Sequence, residues 1–128
     1  MKIIHTENAP AAIGPYVQGV SLNAGKMVIT SGQLPVDPAT GAMSDAIEVQ
    51  THQSLENVRA IVEAAGLNVG NIIKTTLFVK DLNDFAAVNY VYEAFFKKHG
   101  GFFPARSCVE VVRLPKDARI EIEAIAVE

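Results

Sequence analysis

The spacing of apolar residues alternates along this chain between a helical and a strand-like period, and this alternation constrains the fold more than any other feature. Apolar residues recur at intervals of three and four between Asp45 and Gly66, and again between Asn83 and Gly100, which predicts two helices with one buried stripe each. Asp45 with Glu48 resembles a capping box, and Gly66 suits the residue that follows a helix. The second stripe consists of Phe85, Val88, Tyr92, Phe95 and Phe96.

The remaining segments alternate with the period of two that is typical of strands. Asn71 to Lys80 is β-branched, and one of its faces carries Ile73, Thr75, Leu77 and Val79. Ala105 to Arg113 and Arg119 to Val127 alternate strongly, and the turn residues between them predict a closing hairpin. Shorter strands are predicted at Ile3 to Thr6, Val17 to Leu22 and Met27 to Ser31, with a turn at Asn23-Ala24-Gly25 before the last.

The order strands, helix, strand, helix, two strands predicts an α/β (α+β) architecture in which both helices cover one face of a mixed sheet. The chain has 128 residues and no repeat or linker, so we expect one domain spanning residues 1–128. The strands carry more apolar side chains, such as Val109 and Ile125, than one helical layer can bury. This surplus predicts that the second face of the sheet packs against a partner chain.

Charge and cysteine content limit the environment and partners of the chain. The formal net charge is −3 and the Lys and Arg residues are scattered, which argues against nucleic acid as a partner but allows a small anion. The single cysteine, Cys108, excludes an intrachain disulfide and favours a reducing cytoplasm. No apolar stretch reaches the roughly 18 residues of a membrane span, so we expect no membrane contact. His5, His52 and His99 lie in unrelated segments, so we expect no metal site.

Two sets of charged residues each allow a structural and a functional interpretation: Arg106, and the pair Glu121 and Glu123. Arg106 lies in a strand of small and apolar residues, where it either forms a structural ion pair or binds a substrate carboxylate in a bidentate manner. The two glutamates share one strand face, which is either solvated or covered by a subunit interface. In the covered case, one of them is suited to accepting a proton from water.

The predicted hairpin also separates these groups within one chain. A simple register pairs Arg113 with Arg119 and places Glu121 opposite Val111, about 16 Å from Arg106 along the strand. The two side chains then cannot contact one small substrate in the same subunit. If both act on that substrate, the site must lie between subunits.

Three further positions also have a structural and a functional interpretation. Cys108 lies on the same side of its strand as Arg106, and is either a small buried residue or a thiolate whose pKa the guanidinium lowers. Gly32 follows Ser31 at a strand end, where the pair forms either a plain turn or a hydroxyl beside an accessible backbone. Tyr16 follows Gly14-Pro15 and either completes a rigid turn or supplies a phenol to a pocket wall.

Several short motifs occur in order along the chain. They are Gly14-Pro15-Tyr16 with Gln18, Thr30-Ser31-Gly32-Gln33, Asn83-Asp84-Phe85 with Asn89, Pro104-Ala105-Arg106-Ser107, Arg113-Leu114-Pro115-Lys116-Asp117 and Ile120-Glu121-Ile122-Glu123-Ala124. This combination resembles the RidA/YjgF family, specifically its bacterial RidA branch. The resemblance extends over nearly the whole chain.

The resemblance implies a chorismate-mutase-like fold assembled as a homotrimer, with three sites in the clefts between subunits and with neither a metal nor an organic cofactor. Members of this branch hydrolyse enamines and imines such as 2-aminoacrylate and 2-iminobutyrate, products of pyridoxal-phosphate-dependent dehydratases, to 2-keto acids and ammonia. By this resemblance Arg106 binds the substrate carboxylate and Glu121 positions and deprotonates the attacking water. The remaining pocket positions are Tyr16, Ser31, Gly32, Asn89 and Cys108, the last acting chiefly through its backbone.

Two other functions compete with hydrolysis. The same cleft suits a non-catalytic protein that binds or senses a 2-keto acid, because a pocket does not by itself imply turnover. The presence of both Arg106 and Glu121 favours the enzyme, since a binding protein needs only the first. Chaperone and ribonuclease roles have been attributed to relatives, and the acidic net charge argues against the ribonuclease.

Overall fold

The structure is a computed structural model that describes residues 1–23 and 25–128. The elements are β1 (Lys2–Ile4), β2 (Gly19–Ser21), β3 (Met27–Ile29), α1 (Ile47–Ala64), β4 (Ile72–Val79), α2 (Phe85–Lys98), β5 (Ala105–Glu110) and β6 (Ile120–Val127). This order of strands and helices confirms the predicted one. The turn predicted at Asn23-Ala24-Gly25 includes Ala24, which lies outside the described residues.

Helix α1 ends as the sequence predicts but begins differently. Gly66 follows the helix with a φ of 88°, a left-handed conformation that glycine adopts without steric cost. Ala46 is the N-cap and makes no side-chain capping bond, so the capping box predicted at Asp45 and Glu48 is wrong. The carbonyl of Asp45 instead accepts a hydrogen bond of 3.1 Å from Arg119, which ties the start of the helix to the residue before β6.

The main sheet is mixed and has the strand order β3-β6-β4-β5. Strands β4 and β5 are parallel and are connected by α2, as a parallel pair requires, whereas β6 is antiparallel to both β3 and β4. Strands β1 and β2 form a separate antiparallel pair. The predicted mixed sheet with two helices on one face is therefore confirmed.

The closing hairpin predicted between β5 and β6 is wrong, because β4 lies between these two strands. The connection bonds to the end of β4 on both sides. Val111 N–H donates to the Val79 carbonyl at 2.8 Å, and Lys80 N–H donates to the Arg119 carbonyl at 3.0 Å. The turn residues thus carry the chain around the end of β4 rather than back along β5.

Both helices pack on the same face of the sheet and form the core with it. The buried core side chains include Leu55, Val58 and Val62 of α1, Val88, Tyr92 and Phe96 of α2, and Leu77, Val79, Ile120 and Ile122 of the sheet. A register shift between Ile72 and Lys74 breaks the alternation of β4. Because of this irregularity Ile72 is buried and Ile73 is not, which reverses the prediction for these two residues.

No helix of the described part of the chain covers the opposite face of the sheet. Ile29 is 67% exposed and Val109 is 44% exposed on this face, and Ile125 lies there with Glu121 and Glu123. Packing of this face against a partner chain stays a prediction. Within residues 1–23 and 25–128, no helix combines the length and the apolar character that crossing a membrane requires.

Candidate functional site

Arg106 lies on the helix-covered side of β5, beside Thr75 of the neighbouring strand. Its Nη1 donates a hydrogen bond of 2.6 Å to Oδ1 of Asn89, which projects from α2. Three aromatic rings also surround its guanidinium carbon. Their centroids lie 5.5 Å away for Tyr16, 5.4 Å for Phe85 and 5.0 Å for Tyr92.

The ion-pair interpretation of Arg106 is wrong for the part of the chain that the structure describes, where no carboxylate forms a salt bridge with this arginine. Asp84, the N-cap of the helix that carries Asn89, binds Arg119 instead, at 3.0 and 2.9 Å. A guanidinium has five N–H donors, and the Asn89 amide oxygen accepts a hydrogen bond from Nη1 alone. Arg106 therefore has donors available for a small carboxylate.

Phe85 and Tyr92 were predicted as core residues only, and their place beside Arg106 is an addition to the site. Together with Asn89 they stand at positions i, i+4 and i+7 of α2, so the three side chains form one stripe that faces the arginine. The Tyr92 hydroxyl lies 2.7 Å from Thr75 Oγ1. Burial raises the pKa of Tyr92 far above its usual value, so this phenol stays neutral and acts as a fixed wall.

Cys108 shares its strand side with Arg106, but its thiol is not activated. Burial raises the pKa of Cys108, and the lowering effect of Arg106 is the smaller of the two. The hypothesis of a thiolate with a lowered pKa is therefore wrong. The free thiol packs against the core as a small, half-buried side chain.

Gly32 and Glu121 form a second cluster, on the open side of the sheet. Ile29 pairs with Ile125, whereas Gln33 pairs with Ile122, so one extra residue is accommodated in the segment that contains Ser31 and Gly32. This bulge brings Gly32 against the Glu121 side chain. A Cβ at position 32 would lie 2.8 Å from Cδ of Glu121 and closer still to Oε1. Only glycine leaves room for the carboxylate in this position.

If Glu121 activates the attacking water, as the family resemblance implies, Gly32→Ala should lower the rate constant of imine hydrolysis about a hundredfold, because the added methyl displaces the Glu121 carboxylate by the order of an ångström. The matched control is Gly19→Ala, whose Cβ would meet only Ile4, at an ordinary 3.7 Å. Steady-state kinetics of both variants, with thermal unfolding as a check on folding, measure the effect. An unchanged rate constant for Gly32→Ala would mean that the position of Glu121 does not matter.

The two clusters lie on opposite faces of one sheet. Arg106 pairs with Thr75 on the side of the helices, whereas Glu121 pairs with Phe78 on the open side. The predicted pairing of Glu121 with Val111 is wrong, since Val109 is the residue level with Phe78 on β5. The offset is three residues along the strands and two strand spacings across them, roughly 10 Å in each direction. Arg106 and Glu121 are therefore separated within one chain, as predicted, but because they lie on opposite faces of the sheet rather than far apart along a hairpin.

The structure groups the predicted site residues in two sets. Tyr16, Asn89 and Cys108 lie with Arg106, and the Tyr16 hydroxyl accepts a hydrogen bond of 3.2 Å from the Ile13 N–H. Ser31 and Gly32 lie with Glu121, and Ser31 is exposed. Across residues 1–23 and 25–128, no three His, Cys, Asp or Glu side chains are grouped as metal ligands.

Comparison with known proteins identifies the family. The family model described as Endoribonuclease L-PSP matches residues 6–128. A 2-iminobutanoate/2-iminopropanoate deaminase from Salmonella typhimurium is 74% identical over 98% of this chain and 97% of its own length. The crystal structure of the YjgF gene product from E. coli has 69% identity and a TM-score of 0.80, covering 100% of this chain and 99% of that one.

A second solved structure is E. coli TdcF with bound serine. It has 60% identity and a TM-score of 0.79, and the alignment covers 100% of this chain and 99% of that one. These matches span both clusters of the candidate site. The chain therefore belongs to the Endoribonuclease L-PSP family, and its resemblance to RidA/YjgF proteins is confirmed.

Proposed function

We propose that this protein is an enamine/imine deaminase that hydrolyses 2-aminoacrylate and 2-iminobutyrate-type intermediates to 2-keto acids and ammonia. The observation that carries the proposal is the environment of Arg106. This cation is held by one amide oxygen and three aromatic rings, with no acidic partner among the described residues. Such a guanidinium suits the carboxylate that every one of these substrates carries.

The attacking water is assigned to Glu121 of a second copy of the chain. Arg106 and Glu121 lie on opposite faces of the sheet, so one small substrate cannot touch both within a subunit. The uncovered sheet face that carries Glu121 gives a second copy a surface on which to pack. We propose a homotrimer with three sites between subunits, each combining Arg106 of one chain with Glu121 of the next.

The reaction needs little from the protein besides orientation and proton transfer. Water adds to the electrophilic carbon of the C=N bond while Glu121 takes up its proton. Glu121 returns this proton to the nitrogen, which gives the carbinolamine. As the C–N bond breaks, the hydroxyl proton passes to the nitrogen, which leaves as ammonia, and the carbon becomes the ketone of the product. An enamine such as 2-aminoacrylate reacts in the same way after tautomerisation to its imine. Orientation by Arg106 and general-base help can together supply several powers of ten, so the proposal invokes neither a metal nor an organic cofactor.

Tyr16, Asn89 and the Ser31-Gly32 segment complete the proposed pocket. Asn89 fixes Arg106, Tyr16 provides a wall beside it, and Gly32 leaves space at the Glu121 carboxylate. Residues 1–128 act as one RidA/YjgF-type domain in this proposal. Its setting is the cytoplasm, where it limits metabolite damage by removing the imines that pyridoxal-phosphate-dependent dehydratases release.

A binding or sensing role is the alternative that one observation favours. The solved structure of TdcF contains bound serine, a small amino acid with a carboxylate. A protein that only binds a 2-keto acid needs a carboxylate site like that of Arg106, but it does not need Glu121. A ribonuclease role has the support of the family description alone, and the net charge of −3 with scattered Lys and Arg opposes it.

The test of the proposed function is the release of 2-ketobutyrate by a threonine dehydratase reaction with and without the purified protein. We expect faster release of 2-ketobutyrate and ammonia when the protein is present, without a change in threonine consumption. Protein inactivated by heat is the control for nonspecific effects. If the rate does not change while calorimetry detects 2-ketobutyrate binding, the sensing role replaces the enzyme.

A further inference from the structure

The surroundings of Arg106 bear on which anions its site accepts. The carbon of the guanidinium lies over the faces of Tyr16, Phe85 and Tyr92, at 5.5, 5.4 and 5.0 Å from their centroids. These distances lie within the range of cation–π attraction. We call these three rings the aromatic cage.

Two walls of the cage are held by contacts of their own, and the third forms its rim. The Tyr92 ring is fully buried, packs on Phe96 at 4.6 Å between centroids, and is fixed by the 2.7 Å contact of its hydroxyl with Thr75. Tyr16 is tethered by the hydrogen bond from Ile13 N–H to its hydroxyl. Phe85 is the first residue of α2 and is 38% exposed, so it forms the rim of the cage.

The cage and Asn89 together restrict how an anion can approach. Rings facing the guanidinium present the negative side of their quadrupole, which attracts the cation and repels an anionic oxygen that approaches over a ring face. Asn89 occupies one in-plane donor on Nη1. The favourable positions that remain are at the N–H groups that Asn89 does not occupy, where the two oxygens of a planar carboxylate fit a pair of donors. A tetrahedral phosphonate or sulfonate carries a third oxygen that such a pair of N–H groups does not bond, and the surrounding ring faces repel this oxygen.

We propose that Phe85 and Tyr92 are positioning and specificity-determining residues, which hold the Arg106 guanidinium so that it selects planar carboxylates over tetrahedral anions. This inference rests on the proposed function, because it concerns the same carboxylate site. It adds two residues to that site and gives them a role distinct from that of core residues. Both act through Arg106, so neither is a catalytic residue.

The test uses Phe85, because this rim residue can be changed with less disturbance of the core than the buried Tyr92. Phe85→Leu removes the ring and keeps an apolar side chain, whereas Phe85→Tyr keeps the ring and should restore the wild-type behaviour. Tyr90→Leu is the matched control, since Tyr90 lies on the same helix, is 77% exposed and makes no cation–π contact with Arg106.

Calorimetric titrations with pyruvate and with acetylphosphonate, its tetrahedral analogue, provide the main measurement. We expect wild type to prefer pyruvate, and Phe85→Leu to bind pyruvate roughly five- to tenfold more weakly with a smaller preference over acetylphosphonate. In kinetics the same variant should show a raised KM with a nearly unchanged kcat, because the clamp binds substrate and transition state alike. A loss of thermal stability alone would not produce this pattern.

The possible results of this test distinguish a failure of the cage inference from a failure of the proposed function. If wild type accelerates keto-acid release and Phe85→Leu retains both the affinity for pyruvate and the preference over acetylphosphonate, the cage inference is overturned and the deaminase stands. Wild-type preference for acetylphosphonate would also overturn it. If wild type shows the preference and Phe85→Leu loses it without any keto-acid release by wild type, the cage is supported and the enzyme proposal fails.

Discussion

Arg106→Ala is expected to reduce kcat/KM for imine hydrolysis by roughly a thousandfold, because the variant loses the charge-assisted, bidentate bond to the substrate carboxylate. Arg106→Lys should recover only a small part of this loss. A lysine keeps the charge, but it lacks the planar pair of donors and cannot at the same time bond Asn89 as the guanidinium does. The measurement is the rate of 2-ketobutyrate release at several substrate concentrations.

Folding and assembly should survive this substitution. Among residues 1–23 and 25–128, Arg106 has no acidic partner that its removal would leave buried and unpaired, so the melting temperature should change by only a few degrees. Arg113→Ala is the matched control, since Arg113 forms an ion pair with Asp117 in which both side chains are 74% exposed. Near-normal activity of Arg106→Ala would remove the carboxylate clamp from the proposed mechanism.

The sequence predicts local structure well and draws attention to the charged candidate residues, because both depend on short-range patterns. The buried stripes of both helices follow from residue spacing, and an arginine between apolar neighbours stands out without any structure. Residue chemistry alone points to Arg106 and to the pair Glu121 and Glu123, whereas the role of Glu121 comes from the family resemblance. Gly66 was placed correctly because a left-handed residue after a helix has a strong local preference.

The pairing of strands could not be predicted in the same way, because it depends on contacts between distant residues. The turn after β5 looks like a hairpin turn in the sequence, yet Val111 and Arg119 bond to opposite edges of β4. That choice follows from the crossover through α2, which places β5 parallel to β4 and leaves the other edge of β4 to β6. Alternation alone carries no information about which strand lies in the middle.

Two features of the candidate site could also not be predicted from the sequence. Phe85 and Tyr92 have the spacing of core residues, and only the position of β5 brings Arg106 over their rings. The bulge before Gln33 moves Gly32 against Glu121, and a glycine at a strand end gives no sign of that contact. Both features depend on strand neighbours that are far apart in the chain, as does the separation of Arg106 and Glu121 on opposite faces.

Glu121→Gln is expected to lower kcat by roughly 10² to 10⁴-fold with little change in KM, because glutamine keeps the shape of the side chain but cannot accept the proton of water. Glu123→Gln is the matched control. It lies on the same face of β6, level with Thr76 rather than beside Gly32. Equal losses in the two variants would indicate an effect of charge on the sheet face rather than general-base catalysis.

Mixing two inactive variants gives the sharpest test of the site between subunits. When Arg106→Ala and Glu121→Gln chains are co-expressed and the mixed assemblies purified, some sites combine an intact Arg106 from one chain with an intact Glu121 from its neighbour. For equal and random mixing this is about a quarter of the sites, since each of the two contributing chains has an even chance of carrying the intact residue. Activity should therefore return to about a quarter of the wild-type value. If the mixed assemblies stay as inactive as either parent, both residues must act within one chain, which their places on opposite sheet faces oppose.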